Sequence, residues 1–357
     1  MSLERLFASR FRNLQDIQLD LNPGINFISG KNGSGKTSLL EAAYFLSSGR
    51  SFRTLALDPV IRKGSDDCLV RGELKKGQQR WQIGIVRNRN GERDIRINGE
   101  TCSRASELAE ILPTRILGPE SVDLLLGPPD PRRRFLNWGL FHVEQGFVEL
   151  WEAANRCLRQ RNQLLREGDS QSRAFKTWSF QLAEHALRIH CAREQYLSDY
   201  RPIFKQVVES ICQLDEVDIS YSRGWPDGVE LFQIYENEAQ IDEKRGFTQK
   251  GFQRADVRIT VNGDLATKIC SRGELKGIVW SLILAQGELN REQNTLYLID
   301  DLASEFDIVH RRRVGSYLAK TSNQALVTGV DSRILVDCCE NEIVTLFHVE
   351  HGQILLS

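Results

Sequence analysis

Three features predict a mixed α/β fold. A short apolar strand over Ile25–Ser29 runs directly into a glycine-rich loop and then into a segment with the apolar stripe of a helix. Far downstream, Leu296-Tyr297-Leu298-Ile299 reads as a second apolar strand that ends in two adjacent carboxylates, Asp300 and Asp301. Between them, from Arg132 to about Leu214, strand signals vanish and long segments rich in Arg and Gln carry helical spacing. The chain therefore divides into a discontinuous head, residues 1–120 and 245–357, and a mainly helical arm over 121–244.

Residues 3–30 read mostly as strands: Ile17, Leu19 and Leu21 alternate with Gln18 and Asp20, and Asn22-Pro23-Gly24 marks a turn. Leu39, Leu40, Ala43 and Phe45 form the buried stripe of a helix over 37–47, closed by Ser48-Gly49. Residues 68–100 read as β-hairpins, with Asn90-Gly91 and Asn98-Gly99 as turn dipeptides. Gly127-Pro128-Pro129-Asp130-Pro131 reads as a breaker. In the arm, helices are predicted over 143–167 and 173–212, joined by a turn into a hairpin or small bundle. Strands follow at 217–222 and 257–261, a helix at 274–290, and apolar strands at 295–299 and 325–328.

Bulk properties limit the function classes. The 357 residues are 41% hydrophobic and 27% charged with a net charge of −1, so any nucleic-acid contact needs a local basic face. None of the eight cysteines forms a C-x-x-C pair, and Cys338-Cys339 are adjacent, which suits neither a structural bridge nor zinc. The N-terminus lacks the apolar run of a signal peptide, and no segment approaches the ~20 apolar residues of a membrane span. These features predict a reduced, cytoplasmic protein with no membrane partner.

The chemistry centres on Gly30-Lys31-Asn32-Gly33-Ser34-Gly35-Lys36-Thr37, a Walker A loop between strand and helix. Backbone N–H groups from Asn32 to Thr37 would wrap the phosphates of ATP, helped by the positive end of the helix, whose first turn includes Ser38. Lys36 would reach the β- and γ-phosphates, and the Thr37 hydroxyl would ligate Mg²⁺. Asp300 stands at the Walker B position as a second Mg²⁺ ligand, and Asp301 as the residue that orients or deprotonates the attacking water. Lys36 and Asp301 are thus the predicted catalytic pair.

Just upstream, Ser271-Arg272-Gly273-Glu274 opens a helix, and Ser-x-x-Glu is also a capping box. The order is informative: Walker A, a long insertion, Ser-x-Gly at a helix start, Walker B, then Ser304-Glu305-Phe306-Asp307. It is the order of an ABC-type P-loop ATPase head with a β-subdomain and an inserted α-helical arm. In such heads the Ser-x-Gly helix binds the γ-phosphate of ATP held by the opposite subunit, so Ser271, Arg272, Gly273 and Glu274 would act in trans across an ATP-dependent homodimer.

Over essentially its whole length the chain resembles the RecF family of recombination-mediator ATPases, relatives of SMC heads. The resemblance rests on Phe11-Arg12-Asn13-Leu14, Gly49-Arg50-Ser51-Phe52-Arg53, Pro119-Glu120 followed by Gly127 and Arg132-Arg133-Arg134-Phe135-Leu136-Asn137, and the segment from Asp300 to Asp307. It adds Arg12 to the nucleotide ligands. Departures are Pro128, where a small residue is usual, Phe306 in place of Leu, and Gly251-Phe252-Gln253-Arg254 in place of Gly-Pro-His and a basic residue. What the resemblance implies is a protein of DNA replication, DNA damage repair and the SOS response. It would bind double-stranded DNA near single-strand gaps and act with RecR and RecO to load RecA.

A switch that hydrolyses slowly is predicted, because Asp301 is one methylene shorter than the usual Glu and no His lies between Asn323 and Arg333, where a γ-phosphate sensor is usual. Candidate DNA contacts are Arg50, Arg53 and Lys63, then Arg132, Arg133 and Arg134, with Arg156, Arg159 and Arg161 on the first arm helix. A small-molecule kinase would give no reason for the Ser-x-Gly helix start. A structural tether would need a far longer arm.

Overall fold

The computed structural model describes all residues except Leu55, Leu57, Asp58, Ser103, 291–293, 338–343 and 357, so the Cys338-Cys339 pair lies outside the described residues. The chain forms two compact units. One comprises Met1–Ser121, Ser210–Gln213 and Lys276–Ser357, the other Val122–Glu209 and Leu214–Leu275.

In the first unit, a six-stranded sheet runs in the order Gln353–Leu356, Thr345–Glu350, Ile25–Ser29, Gln324–Gly329, Leu296–Ile299, Thr114–Leu117. All neighbours are parallel except the terminal hairpin. Every residue of Ile25–Ser29, Leu296–Ile299 and Gln324–Gly329 is buried. A parallel sheet covered on both faces explains why these strands read as unbroken apolar runs. A second, antiparallel sheet runs Ile17–Asp20, Ser2–Ser9, Asp67–Lys76, Gln79–Asn88, Arg93–Ile97, Glu100–Thr101. Helix Lys36–Ser48 places Leu39, Leu40, Phe45 and Leu46 in one core with Leu6, Val70 and Ile83 of this sheet and Leu298 and Leu326 of the other.

The second unit holds helices Pro129–Val143, Phe147–Glu167 and most of Arg173–Cys212. The last has 40 residues, a rod of about 60 Å at ~1.5 Å per residue. The unit also holds an antiparallel sheet of Asp264–Leu265, Asp256–Val261 and Val217–Ser222. Because Asp256–Val261 pairs with Val217–Ser222, the unit extends to Leu275, past the boundary expected at residue 245. The predicted breaker is a helix start: Pro129 and Pro131 occupy the first turn of Pro129–Val143, where missing N–H groups cost no helical bond. The helix expected over 143–167 is broken at Glu144 and Gly146, and Phe147–Glu167 starts afresh. Among the described residues, no helix is long and apolar enough to cross a membrane.

Two departures from the family pattern have packing partners. Phe306 meets Trp280 edge-to-face at 4.8 Å, and Phe252 meets Trp151 at 5.1 Å while its carbonyl accepts from buried Arg193 at 2.9 Å. Pro128 is the residue that precedes helix Pro129–Val143, in extended conformation.

Candidate nucleotide-binding site

The loop leaving Ile25–Ser29 turns through Gly30, Gly33 and Gly35, all at positive φ, into helix Lys36–Ser48. At Gly30 the need for glycine is steric, since a Cβ there would lie 2.3 Å from the Val349 carbonyl oxygen. At Gly33 nothing lies within 4 Å, and only its φ of +79° asks for glycine. Lys31, Asn32 and Gly33 are exposed, while Ser34, Gly35, Lys36 and Ser38 are buried.

Lys36 folds back on the loop, its Nζ donating to the carbonyls of Gly30 at 2.6 Å and Lys31 at 3.0 Å. Burial lowers the Lys36 pKa, and Asp301 and Asp300 push it the other way. The Thr37 hydroxyl donates to the Asp300 carboxylate at 3.0 Å, with both oxygens in reach. Strand pairing explains this meeting: Leu296–Ile299 and Ile25–Ser29 both flank Gln324–Gly329, so their C-terminal ends open on the same edge of the sheet.

A cleft of about 840 Å³ lies over the loop, lined by Arg12, Asn32, Gly33, Gly35, Lys36, Thr37, Ser38, Asp300 and Asp301 among others. Arg53 and Lys63, which the sequence suggested as DNA contacts, also line it. Arg12 makes a bidentate pair with wholly buried Glu41, at 2.6 and 2.9 Å. Glu41 also accepts from Ser51 at 2.5 Å and lies 3.7 Å from Arg53. Asn13 donates to the Gly33 carbonyl at 3.1 Å and accepts from Ser38 at 2.7 Å. Sequence reasoning missed Glu41 and Asn13 as site residues. A glutamate inside the apolar stripe of the helix was the available signal for Glu41.

Ser271, Arg272 and Gly273 are exposed at the start of helix Arg272–Leu289 and belong, with Glu274, to the second unit. The capping box is formed: the Ser271 N–H donates to Glu274 at 2.7 Å, and the Glu274 N–H to the Ser271 hydroxyl at 3.3 Å.

The basic candidates separate by environment. Arg50 and Arg134 are exposed. Arg132 is not available to DNA, because it pairs with Asp256 at 2.6 Å and donates to the Leu124, Leu125 and Gly127 carbonyls. Arg133 is likewise held by Asp130 and the Ala255 carbonyl. Arg161 is wholly buried, bonded to Asp242 at 2.8 Å and to Thr248 and Ser179. Its aliphatic and guanidinium surface fills the arm's core between the Phe175 and Tyr235 rings, which removes it from the DNA candidates.

Thr37 and Asp300 each offer an oxygen donor, which a hard cation such as Mg²⁺ prefers. The Ser34 hydroxyl is buried with no hydrogen-bond partner among the described residues, as fits a loop built to close on a ligand's oxygens.

The family model of the RecF/RecN/SMC N terminal domain matches residues 2–354. The DNA replication and repair protein RecF of Stutzerimonas stutzeri is 40% identical, covering 99% of this chain and 97% of its own. The protein of the same name from Pseudomonas aeruginosa is 39% identical with the same coverage. Among solved structures, the recombination mediator RecF with ATP, of the RecFOR pathway, superposes with a TM-score of 0.85 at 24% identity, covering 99% of this chain and 97% of that one. An Smc head bound to the winged-helix domain of ScpA superposes with a TM-score of 0.62 at 13% identity, with the same coverage.

Proposed function

The chain belongs to the RecF family, and from that premise we propose that it is a Mg²⁺-dependent ATPase whose ATP-bound form dimerises on DNA. The observation that carries the reading is the Thr37–Asp300 contact at 3.0 Å beside the Gly30–Lys36 loop, which brings two distant motifs to one cleft. Lys36 exchanges its two loop carbonyls for phosphate oxygens, and the N–H groups at the helix start face the same anion. Thr37 and Asp300 would hold the Mg²⁺ ion, which supplies neutralising charge to the phosphates. Asp301, at the cleft wall, orients the attacking water.

Ser271 and Gly273, exposed at a helix N-terminus, complete the γ-phosphate site of a second copy. The dimer engages double-stranded DNA beside single-strand gaps through exposed basic side chains such as Arg50, and slow, DNA-stimulated hydrolysis resets it. The RecF name of the relatives and the RecFOR pathway of the solved neighbour support a cytoplasmic role in DNA replication and repair, upstream of RecA loading and alongside RecR and RecO.

Sizing the protein without nucleotide, with ADP and with ATP tests the shared site. Dimers with ATP alone, lost in Ser271→Arg, are the expected result, and ATP dimers that survive in the variant overturn it. Turnover is expected below ~10 s⁻¹, a median enzyme rate, and is expected to rise with gapped DNA. Stimulation by a metabolite instead of DNA overturns the DNA reading.

A further inference from the structure

Thr328 is the penultimate residue of the strand Gln324–Gly329 and is wholly buried. Its hydroxyl lies between the two acidic residues of the site. It donates to Asp300 Oδ1 at 2.9 Å and accepts from the Asp301 N–H at 2.9 Å, while the Ile299 carbonyl is farther, at 3.4 Å. A hydroxyl has one proton and two lone pairs. An N–H can only donate and a carboxylate oxygen accepts, so the direction of both bonds is fixed.

The two bonds have different consequences. Thr37 and Thr328 both donate to Asp300 Oδ1, which sets the rotation of that carboxylate. Asp301 has φ +53°, a left-handed conformation uncommon outside glycine, which Asp enters more readily than most residues and which a constraint from its surroundings helps to hold. The bond from its N–H to Thr328 is such a constraint. One side chain thus couples the orientation of the metal-ligand carboxylate to the backbone that aims the next one.

We infer that Thr328 is the positioning residue of the Asp300-Asp301 pair, acting through both and touching neither nucleotide nor ion. This rests on the ATPase reading above. Valine matches threonine in shape and lacks the hydroxyl, alanine lacks it without the shape, and serine keeps it.

The test uses the full-length protein with Thr328→Val, Thr328→Ala and Thr328→Ser. A fluorescent ATP analogue is titrated with and without Mg²⁺, and steady-state hydrolysis is measured beside it. Loss of an outer-shell partner typically costs about 10–100-fold in metal affinity or activity. Both hydroxyl-free variants are therefore expected to raise the half-saturating Mg²⁺ concentration and lower kcat by about that factor. Nucleotide affinity without Mg²⁺ stays at the wild-type value, and Thr328→Ser restores both readouts. Wild-type Mg²⁺ dependence and kcat in either hydroxyl-free variant overturn the inference. So does a parallel loss of metal-free nucleotide affinity, which marks a purely structural role. If the wild-type protein itself fails to hydrolyse ATP, the ATPase reading falls, and the Mg²⁺ dependence of binding still decides on Thr328.

Discussion

Gly30 and Gly33 are both glycines of one motif, yet they are needed for different reasons, and substitution separates them. Gly33→Ala meets no neighbour and bears only left-handed strain, about 1–2 kcal/mol. Gly30→Ala drives a Cβ against the Val349 carbonyl, a backbone atom with no rotamer to yield. Its Tm is expected to fall further than that of Gly33→Ala in parallel melts, and equal shifts would contradict the steric account. Glu41 makes a second case. Its removal leaves Arg12 without its bidentate partner and Ser51 without its acceptor. Breaking a buried pair from one side costs about 3–5 kcal/mol. Glu41→Ala is expected to lose stability of that order in urea, and the double variant with Arg12→Ala less than the sum of the two singles. The loop from Gly30 to Thr37, between its strand and helix, was legible in sequence because its residue types and spacing are local. Glu41 was not, because its importance depends on Arg12 and Ser51, brought to it only by the fold.

Helix Ile308–Lys320 begins at Asp307, whose carboxylate accepts from the Val309 and His310 N–H groups at 2.9 Å and faces the His310 ring. The hydrogen bonds from His310 hold its pKa below the ordinary value of 3.8. A lowered carboxylate stabilises the fold above its unfolded pKa, and that contribution fades as pH falls through the lower folded value. Melting curves of wild type and Asp307→Asn are therefore expected to converge in acid below 3.8 and to separate above it. Curves that stay parallel would count against the cap. Other elements were legible to different degrees. Leu296–Ile299 is a continuous apolar run and was read directly. Thr114–Leu117 lies in the same sheet, but its polar Thr-Arg start hides it, and only its parallel pairing with Leu296–Ile299 makes it a strand. The prolines before Arg132 misled because a proline signals a break inside a helix and a start in its first turn.

With 47 basic and 48 acidic residues the chain has no net positive field to draw DNA in. On the proposed reading, DNA binding would rest on exposed side chains, since Arg132, Arg133 and Arg161 are engaged internally. If three of the exposed candidates Arg50, Arg53, Lys63, Arg134, Arg156 and Arg159 contact phosphate, affinity falls roughly 40-fold between about 50 and 200 mM salt, from a slope of ~0.9 per contact. A titration of fluorescent duplex against salt is expected to give such a shallow slope, and Arg50→Ala to reduce it. A slope near ten contacts would require a basic face that the exposed candidates do not supply. The discontinuous head was legible because its two motifs frame the arm. The boundary at Leu275 was not, because a strand's membership in a unit is decided by its pairing partner.

The phosphate loop is buttressed from the far end of the chain. Gly352 N–H donates to the Ser34 carbonyl at 2.8 Å, the Gln15 N–H donates to the Gly352 carbonyl at 2.9 Å, and Thr345–Glu350 pairs with Ile25–Ser29. During synthesis, at about 5–20 residues per second, the loop's own residues are made well before Thr345–Glu350 and Gly352 and wait for them. Until the stretch around Gly352 leaves the ribosome, the loop-bearing strand lacks one flank and Ser34 lacks its clasp. A nascent chain therefore carries an unbuttressed loop until the stretch around Gly352 has joined it.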